Sequence, residues 1–525
     1  MADPQWWRNA TIYQVYPRSF ADSNGDGIGD LPGLTARLPY IADLGVDAVW
    51  LSPIFLSPQK DFGYDVADHT QIDPLFGTMD DFDHLVEGAH ALGLRVLIDQ
   101  VWSHTSTRHA WFRESRLRGS TADWYVWADP REDGTPPNNW LSVFGGSAWT
   151  WEPRRRQFYL HHFLADQPQL NLHNPAVQDA LLETGRFWLD RGVDGFRLDA
   201  IDFYAHDPAL RPNPPAACGA GPKLFGRQHH THDMLQPARF DFLARIRALL
   251  DGYPGAMTLG EVSSQDGAFD RCRDYTAGSR HLHMAYTLKP LRQGFSHAAM
   301  QALVDEAGGQ NGQLCWSFSN HDVERAAGRW NPLPGQPADP RLIRLLLQFQ
   351  LSLRGGACLY QGEELGLEDA ALEEGDLRDP FGIAYWPDYK GRDGSRTPMP
   401  WHHDQQHGGF SSVAPWLPVP DAHRHLAVSH QDVCQASSLN GCRRFLRYRR
   451  SHSAMRHGAL HPWHLAEPLI GFIREDAQER IVCLFNFSAG SVSLRDLRKL
   501  GAGLPEMLGP FGTAFAAVEM VYSAD

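Results

Sequence analysis

Gly195-Phe196-Arg197-Leu198-Asp199-Ala200 is a short, largely apolar run that delivers an arginine and an aspartate two residues apart. It reads as a strand, and residues at i and i+2 of a strand share a face, so Arg197 and Asp199 point the same way. The guanidinium favours its neighbour's ionised form by through-space attraction. Taken alone, the pair is either a buried structural ion pair or an arginine beside a carboxylate nucleophile at a strand end. The flanking chain decides the fold and bears on that choice.

A helical pattern, Pro175–Asp190, leads into this run and stops at Gly192, and another, Pro237–Leu250, follows it. The same alternation extends in both directions. Strand-like runs lie at Ile12–Ser19, Ala48–Ile54, Arg95–Trp102, Thr258–Val262, Met284–Leu288, Leu314–Ser319 and Ala357–Tyr360. Further helical patterns lie at Leu34–Leu44, Met79–Leu92, His297–Glu306 and Pro340–Leu353, with glycines such as Gly45, Gly93 and Gly355 as stops. Eight strands alternating with helices predict an α/β protein built on a parallel (β/α)8 TIM barrel.

Two intervals break the rhythm. Residues 104–174, rich in Trp, Pro, Asn and Gly, read as an inserted domain after strand three, and 368–435 as an irregular insertion after strand eight. The barrel is then built from 1–103 and 175–454. From about 455 to 525 short alternating segments (Leu469–Ile473, Ile481–Phe487, Val492–Leu494) predict a small antiparallel β domain.

Composition narrows the partners. A formal net charge of −14 with no basic run argues against nucleic acid and anionic membrane. No signal peptide and no bilayer-length apolar run is visible, and seven scattered cysteines without CxxC spacing read as reduced thiols, so a cytoplasmic protein is expected. A Cys434–Cys442 bridge is not expected. The 17 tryptophans suit either core filling or the flat faces of sugars.

In a parallel barrel the chemistry sits where the strands end. Strand three ends in Asp99-Gln100-Val101-Trp102-Ser103-His104, strand five in Gly260-Glu261-Val262 and strand seven in Ser319-Asn320-His321-Asp322. With Arg197 and Asp199 these converge on one bowl. Two adjacent carboxyls run retaining glycoside hydrolysis through a covalent glycosyl-enzyme. Asp199, kept ionised by Arg197, is the candidate nucleophile. Glu261, with no charged neighbour in sequence, is the candidate acid and later base. Asp322 is a third carboxylate for sugar hydroxyls and transition-state charge.

Asp99–His104, Gly195–Ala200, Gly260–Val262 and Phe318–Asp322 resemble, in order and spacing, the conserved regions of the α-amylase family of glycoside hydrolases. The resemblance runs over nearly the whole chain. It implies Asp199 as nucleophile, Glu261 as acid/base and Asp322 as stabiliser, with Arg197, His104 and His321 around the sugar at the cleavage point. Ile12–Phe20, Asp61-Phe62-Gly63-Tyr64-Asp65 and Arg396-Thr397-Pro398-Met399-Pro400-Trp401 look most like the bacterial exo-acting α-glucosidase and oligo-1,6-glucosidase group. There, Asp61 and Arg396 fall on the positions that hold the terminal glucose, with Tyr64 as the stacking ring; the alternative is a surface salt bridge. In the resembling enzymes a valine after the nucleophile goes with α-1,6 substrates, so Ala200 favours α-1,4 substrates such as maltose.

The resemblance implies no cofactor for catalysis, but a structural Ca²⁺ or Mg²⁺ held by Asp22, Asn24, Asp26 and Asp30 with the Ile28 carbonyl. The residues alone fit an Asx-rich turn as well, and an EF-hand is unsupported because Gly33 stands at loop position 12. His229-His230-Thr231-His232-Asp233 lacks the spacing of a known zinc site and reads as lining the leaving-group side. Gln169 stands where relatives usually carry aspartate. A monomer or homodimer acting on small α-glucosides is expected. A dedicated transglucosylase, a sucrose hydrolase or isomerase and a trehalose synthase share the three carboxylates. A transporter-associated scaffold without catalysis would lack them.

Overall fold

The computed structural model describes residues 4–217, 223–309, 312–333, 335–497 and 503–518. Cys218 lies outside the described residues. Eight strands, Thr11–Val15, Ala48–Leu51, Arg95–Gln100, Gly195–Leu198, Met257–Val262, Met284–Thr287, Cys315–Ser317 and Gly356–Tyr360, form one parallel sheet. Strands one to six neighbour one another in chain order, and strand eight sits between strands one and seven. A parallel bridge between Ala285 and Leu314 closes the ring, so the chain forms the expected (β/α)8 barrel.

Local chemistry accounts for the element ends. Strand one is shorter than the run Ile12–Ser19 because Pro17 has no N–H for the ladder, and the chain turns into a short 3-10 helix, Pro17–Ser19. Asp30 caps the helix Leu31–Leu44 by accepting from the Gly33 N–H, and Thr78 and Asp81 form a reciprocal capping box on Met79–Ala91. Gly45 closes the first of these helices in the left-handed conformation, φ 92°. At Gly195 a Cβ would stand 2.1 Å from the Met257 carbonyl oxygen, so only glycine lets strands four and five approach there.

Two barrel helices emerge that the sequence pattern does not announce, Ala268–Thr276 after strand five and Ser438–Ser451 after strand eight. The second is arginine-rich yet buries Leu439, Cys442, Phe445 and Leu446, and Arg449 caps the carbonyls of Asn9 and Leu351. Between strands three and four lies a three-stranded antiparallel sheet of Trp127–Ala128, Gln157–Leu160 and Trp149–Glu152. A four-stranded antiparallel sheet, Ala459–Trp463, Leu469–Glu475, Arg480–Asn486 and Thr513–Ala517, packs Phe472, Phe485 and Phe487 against Phe349 of the helix Pro340–Ser352. The six cysteines among the described residues are free, Cys434 and Cys442 included. Among those residues no helix is long and apolar enough to cross a membrane.

Candidate active site

Arg197 is the hub of the bowl. It is fully buried, and its Nη1 donates to Asp99 Oδ1 at 2.7 Å and to Asp199 Oδ1 at 2.7 Å. Its Nη2 donates to Glu261 Oε2 and, at 3.0 Å, to the Tyr286 hydroxyl. The guanidinium lies over the Trp50 ring, 5.0 Å from its centroid. One planar fork thus gathers three carboxyls from strands three, four and five, which a lysine's point charge does not reproduce.

Asp199 and Glu261 therefore sit side by side. Burial pushes Asp199 up to about 7, against the pull of Arg197, with Asp99 and Asp322 adding to the rise. Burial raises Glu261 to about 7 as well, again opposed by Arg197 and reinforced by Asp199 and Asp322. Glu261, with no charged neighbour in sequence, thus stands near other carboxylates that help it keep its proton, whereas for Asp199 burial outweighs the pull of Arg197 that was expected to keep it ionised. The fold brings Glu261 onto the same guanidinium, and the two carboxyls rise together.

Asp322 behaves differently. Burial works to raise it, but the cations around it prevail and hold its carboxyl well below the usual range. Arg396 Nη2 donates to Asp322 Oδ1 at 2.8 Å and Arg392 Nη1 to the same atom at 3.2 Å. His321 lies 3.4 Å away, and burial pushes it down to about 3, so its ring is neutral at ordinary pH and the arginines carry the effect. Asp322 is also the most open of the three carboxylates, its side chain 24% exposed against 10% for Asp199 and 5% for Glu261.

The remaining expected residues converge on the same bowl. Tyr64 stacks on His321, ring centroids 5.3 Å apart and planes within 2°, and its hydroxyl donates to Asp99 Oδ2 at 3.0 Å and meets His321 Nε2 at 2.6 Å. His321 Nδ1 lies 2.7 Å from Gln14 Nε2. His104 is buried between Ser103 Oγ and the Tyr64 carbonyl, 2.8 Å and 3.0 Å from its two ring nitrogens. Asp61 and Arg396 are both buried but do not pair with each other. Arg396 donates to the His321 carbonyl and to Asp322, while Asp61 accepts from Arg392 Nη2 at 2.7 Å.

Arg392 is thus a member of the site that sequence reading does not reach. It also forks onto Asp379, at 2.8 Å and 3.1 Å, and so bridges Asp61, Asp322 and the segment after strand eight. Gln167 is another, donating to Asp61 Oδ2 at 3.1 Å and standing 3.1 Å from His104 Nε2. The signal for Arg392 was faint: it stands four residues before Arg396, and nothing local says which of the two reaches Asp61.

Phe225 and Met234, on either side of the histidine-rich segment 229–233, pack with Ala200 and Phe203. His230 pairs with the buried Asp233 at 2.6 Å and stacks on Phe225. In the loop 22–30 the carboxylates accept from nearby amides: Asp22 from Gly25 and Gly27, Asp26 from Ile28, Asp30 from Ser23 and from Gly33 of the helix it caps. The donor set is all oxygen, as a hard cation requires, and such turns coexist with metal ligation. Among the described residues no three His, Cys, Asp or Glu side chains gather as around a metal.

Comparison with known proteins gives a consistent result. Residues 14–458 match the family model described as the α-amylase catalytic domain. A probable α-glucosidase of Rhizobium meliloti is 50% identical over 498 residues, covering 93% of this chain and 90% of that protein. Maltase A2 of Drosophila melanogaster is 37% identical over 465 residues, covering 84% and 78%. Among solved structures, the α-glucosyl transfer enzyme XgtA superposes with a TM-score of 0.93 at 50% identity, covering 98% of this chain and 99% of the other.

Proposed function

The chain belongs to the α-amylase family of glycoside hydrolases, and from that premise we propose a retaining, exo-acting α-glucosidase that removes terminal α-1,4-linked glucose from maltose-like oligosaccharides. The observation that carries this reading is the single guanidinium of Arg197 bridging Asp199 and Glu261. Side-by-side carboxyls suit retaining chemistry, where the two are about 5–5.5 Å apart, rather than inverting chemistry, where a water separates them by about 6.5–9.5 Å.

In this reading Asp199 attacks the anomeric carbon while Glu261 protonates the departing glycosidic oxygen. The bond to the leaving sugar breaks as that to Asp199 Oδ forms. Glu261, now a carboxylate, takes the proton from water or another hydroxyl, which displaces Asp199 with overall retention. The pair needs one proton between its two members, and their common rise to about 7 keeps one available near neutral pH. Asp322, held ionised by its arginines, binds hydroxyls and stabilises positive charge on the sugar ring. Tyr64, His104 and His321 orient the same sugar. Asp61 with Arg392, and Arg396 beside them, close the cleft beyond the terminal glucose and make the attack exo.

Ala200 supports the α-1,4 preference by leaving room next to the nucleophile. The likeness to XgtA, an α-glucosyl transfer enzyme, favours a second outcome in the same site, transfer of glucose to an acceptor hydroxyl. Incubation with maltose at high concentration tests both: glucose alone marks hydrolysis, and longer α-linked products mark transfer. Absence of glucose release from maltose overturns the reading.

Four further assignments belong to the same reading. Asp22, Asn24, Asp26, Asp30 and the Ile28 carbonyl would hold a Ca²⁺ or Mg²⁺ ion in the loop after strand one, where it would serve a structural role. Residues 104–174 and 455–525 are domains apart from the barrel of 1–103 and 175–454. The free cysteines favour a cytoplasmic setting. The protein works as a monomer or homodimer.

A further inference from the structure

Ala200, directly after the proposed nucleophile, is a non-glycine residue in the left-handed conformation, φ 43° and ψ 48°. A Cβ makes that conformation unfavourable, and it persists only where the surroundings impose it. The reason to impose it is visible. In this conformation the Ala200 N–H points at Glu261 and donates to Oε2 at 3.2 Å, while the Ala200 carbonyl accepts from Phe203 N–H at 3.0 Å in the short 3-10 turn Ile201–Phe203.

The Leu235 N–H, which donates to the Asp202 carbonyl at 2.8 Å, and three further groups hold that turn from outside. Ser264 N–H and the Tyr275 hydroxyl donate to the buried Asp202 carboxylate, at 2.9 Å and 2.8 Å. The third is Gln169, whose Nε2 donates to the Phe203 carbonyl at 2.9 Å. Gln169 is buried, and its backbone is anchored on both sides by bonds to Leu160 and Val126. Its Oε1 lies 2.9 Å from Nδ1 of the buried His162. The Phe203 carbonyl only accepts, so the amide nitrogen must face it and the amide oxygen must face His162, which therefore carries its proton on Nδ1.

We propose that Gln169 is a positioning residue for the acid/base Glu261: by clamping the Phe203 carbonyl it holds Ala200 left-handed and keeps the Ala200 N–H on the Glu261 carboxyl. The inference rests on the α-glucosidase reading above. In this chain the amide suits both neighbours, donating to a carbonyl and accepting from an imidazole at once. A carboxylate of the same length accepts on both sides and sets an oxygen against the Phe203 carbonyl.

The test separates an acid/base defect from general damage. Maltose needs its leaving oxygen protonated, whereas α-glucosyl fluoride departs without that help. Gln169→Glu lowers kcat/KM, which reports the step that forms the glucosyl-enzyme, by about tenfold or more on maltose and by less than about twofold on α-glucosyl fluoride. Glycine adopts the left-handed conformation freely, so in the Ala200→Gly background the same change costs maltose turnover no more than about threefold. Gln169→Met, which keeps length without either hydrogen bond, gives the same comparison if the glutamate variant does not fold. Parallel losses on both substrates, no loss on either, or an undiminished loss in the Ala200→Gly background overturn the positioning role while leaving the glucosidase reading intact. If the wild-type protein releases glucose from neither compound, the glucosidase reading itself fails and the positioning role falls with it.

Discussion

A lysine in place of Arg197 would keep the charge and lose the fork. One ammonium cannot hold Asp99, Asp199 and Glu261 in one plane, and Arg197→Lys is expected to lower kcat on maltose by about a hundredfold or more with the fold retained. Asp199→Asn should abolish turnover, and it should also change how stability depends on pH. Asp199 is raised in the folded protein to about 7 from an ordinary value of 3.8. A raised carboxyl contributes fully below its unfolded pKa, and that contribution is lost as pH climbs through the folded value. The asparagine variant should therefore melt at the wild-type temperature at pH 4 and several degrees above it at pH 8, by calorimetry. Equal melting temperatures at pH 8 would mean that burial does not penalise the ionised Asp199. At this scale Asp199, Glu261 and Asp322 were legible because each sits at a strand end in a recognisable run. Their charge states were not legible: Glu261 has no charged sequence neighbour, and only the barrel places Arg197 against it.

At the scale of elements, the segment carrying Asp379, Arg392 and Arg396 supplies the cations that pair with Asp61 and Asp322, on the side of the bowl proposed to hold the terminal glucose. Arg392 pairs with Asp61, Asp322 and Asp379 while nearly buried. Removing one partner of such a network strands the others, at a cost of about 3–5 kcal/mol. Arg392→Ala is thus expected to lower the melting temperature and to raise KM for maltose more than it lowers kcat. A KM unchanged in a folded variant would remove Arg392 from the glucose side. The loop after strand one makes a separate prediction. A chelator should lower the melting temperature, with Ca²⁺ or Mg²⁺ restoring it, and Asp22→Ala should abolish that response; a chelator without effect would leave the loop as an Asx-rich turn. Elements were legible in unequal degree. Helices with a wide apolar stripe, such as Pro340–Ser352, showed in the pattern. Ala268–Thr276 did not, being short and charged, nor did Ser438–Ser451, whose arginines reach carbonyls through the packed barrel.

On the scale of the whole molecule, the barrel was readable because parallel strands buried on both faces leave continuous apolar runs, separated by helical patterns that stop at glycines. The pocket was less so, because it is assembled from distant pieces. His104 and Gln167 come from the stretch after strand three, Arg392 from the stretch after strand eight, and Arg197 from the barrel itself. The proposed exo-acting, retaining function has one chemical consequence, a glucosyl unit covalently held on Asp199. The most direct test is to trap that species with 5-fluoro-α-glucosyl fluoride and map the modified peptide by mass spectrometry. A single label is expected on the peptide containing Asp199, absent in Asp199→Asn. A label on another residue, or none on an enzyme that still turns over maltose, would contradict it.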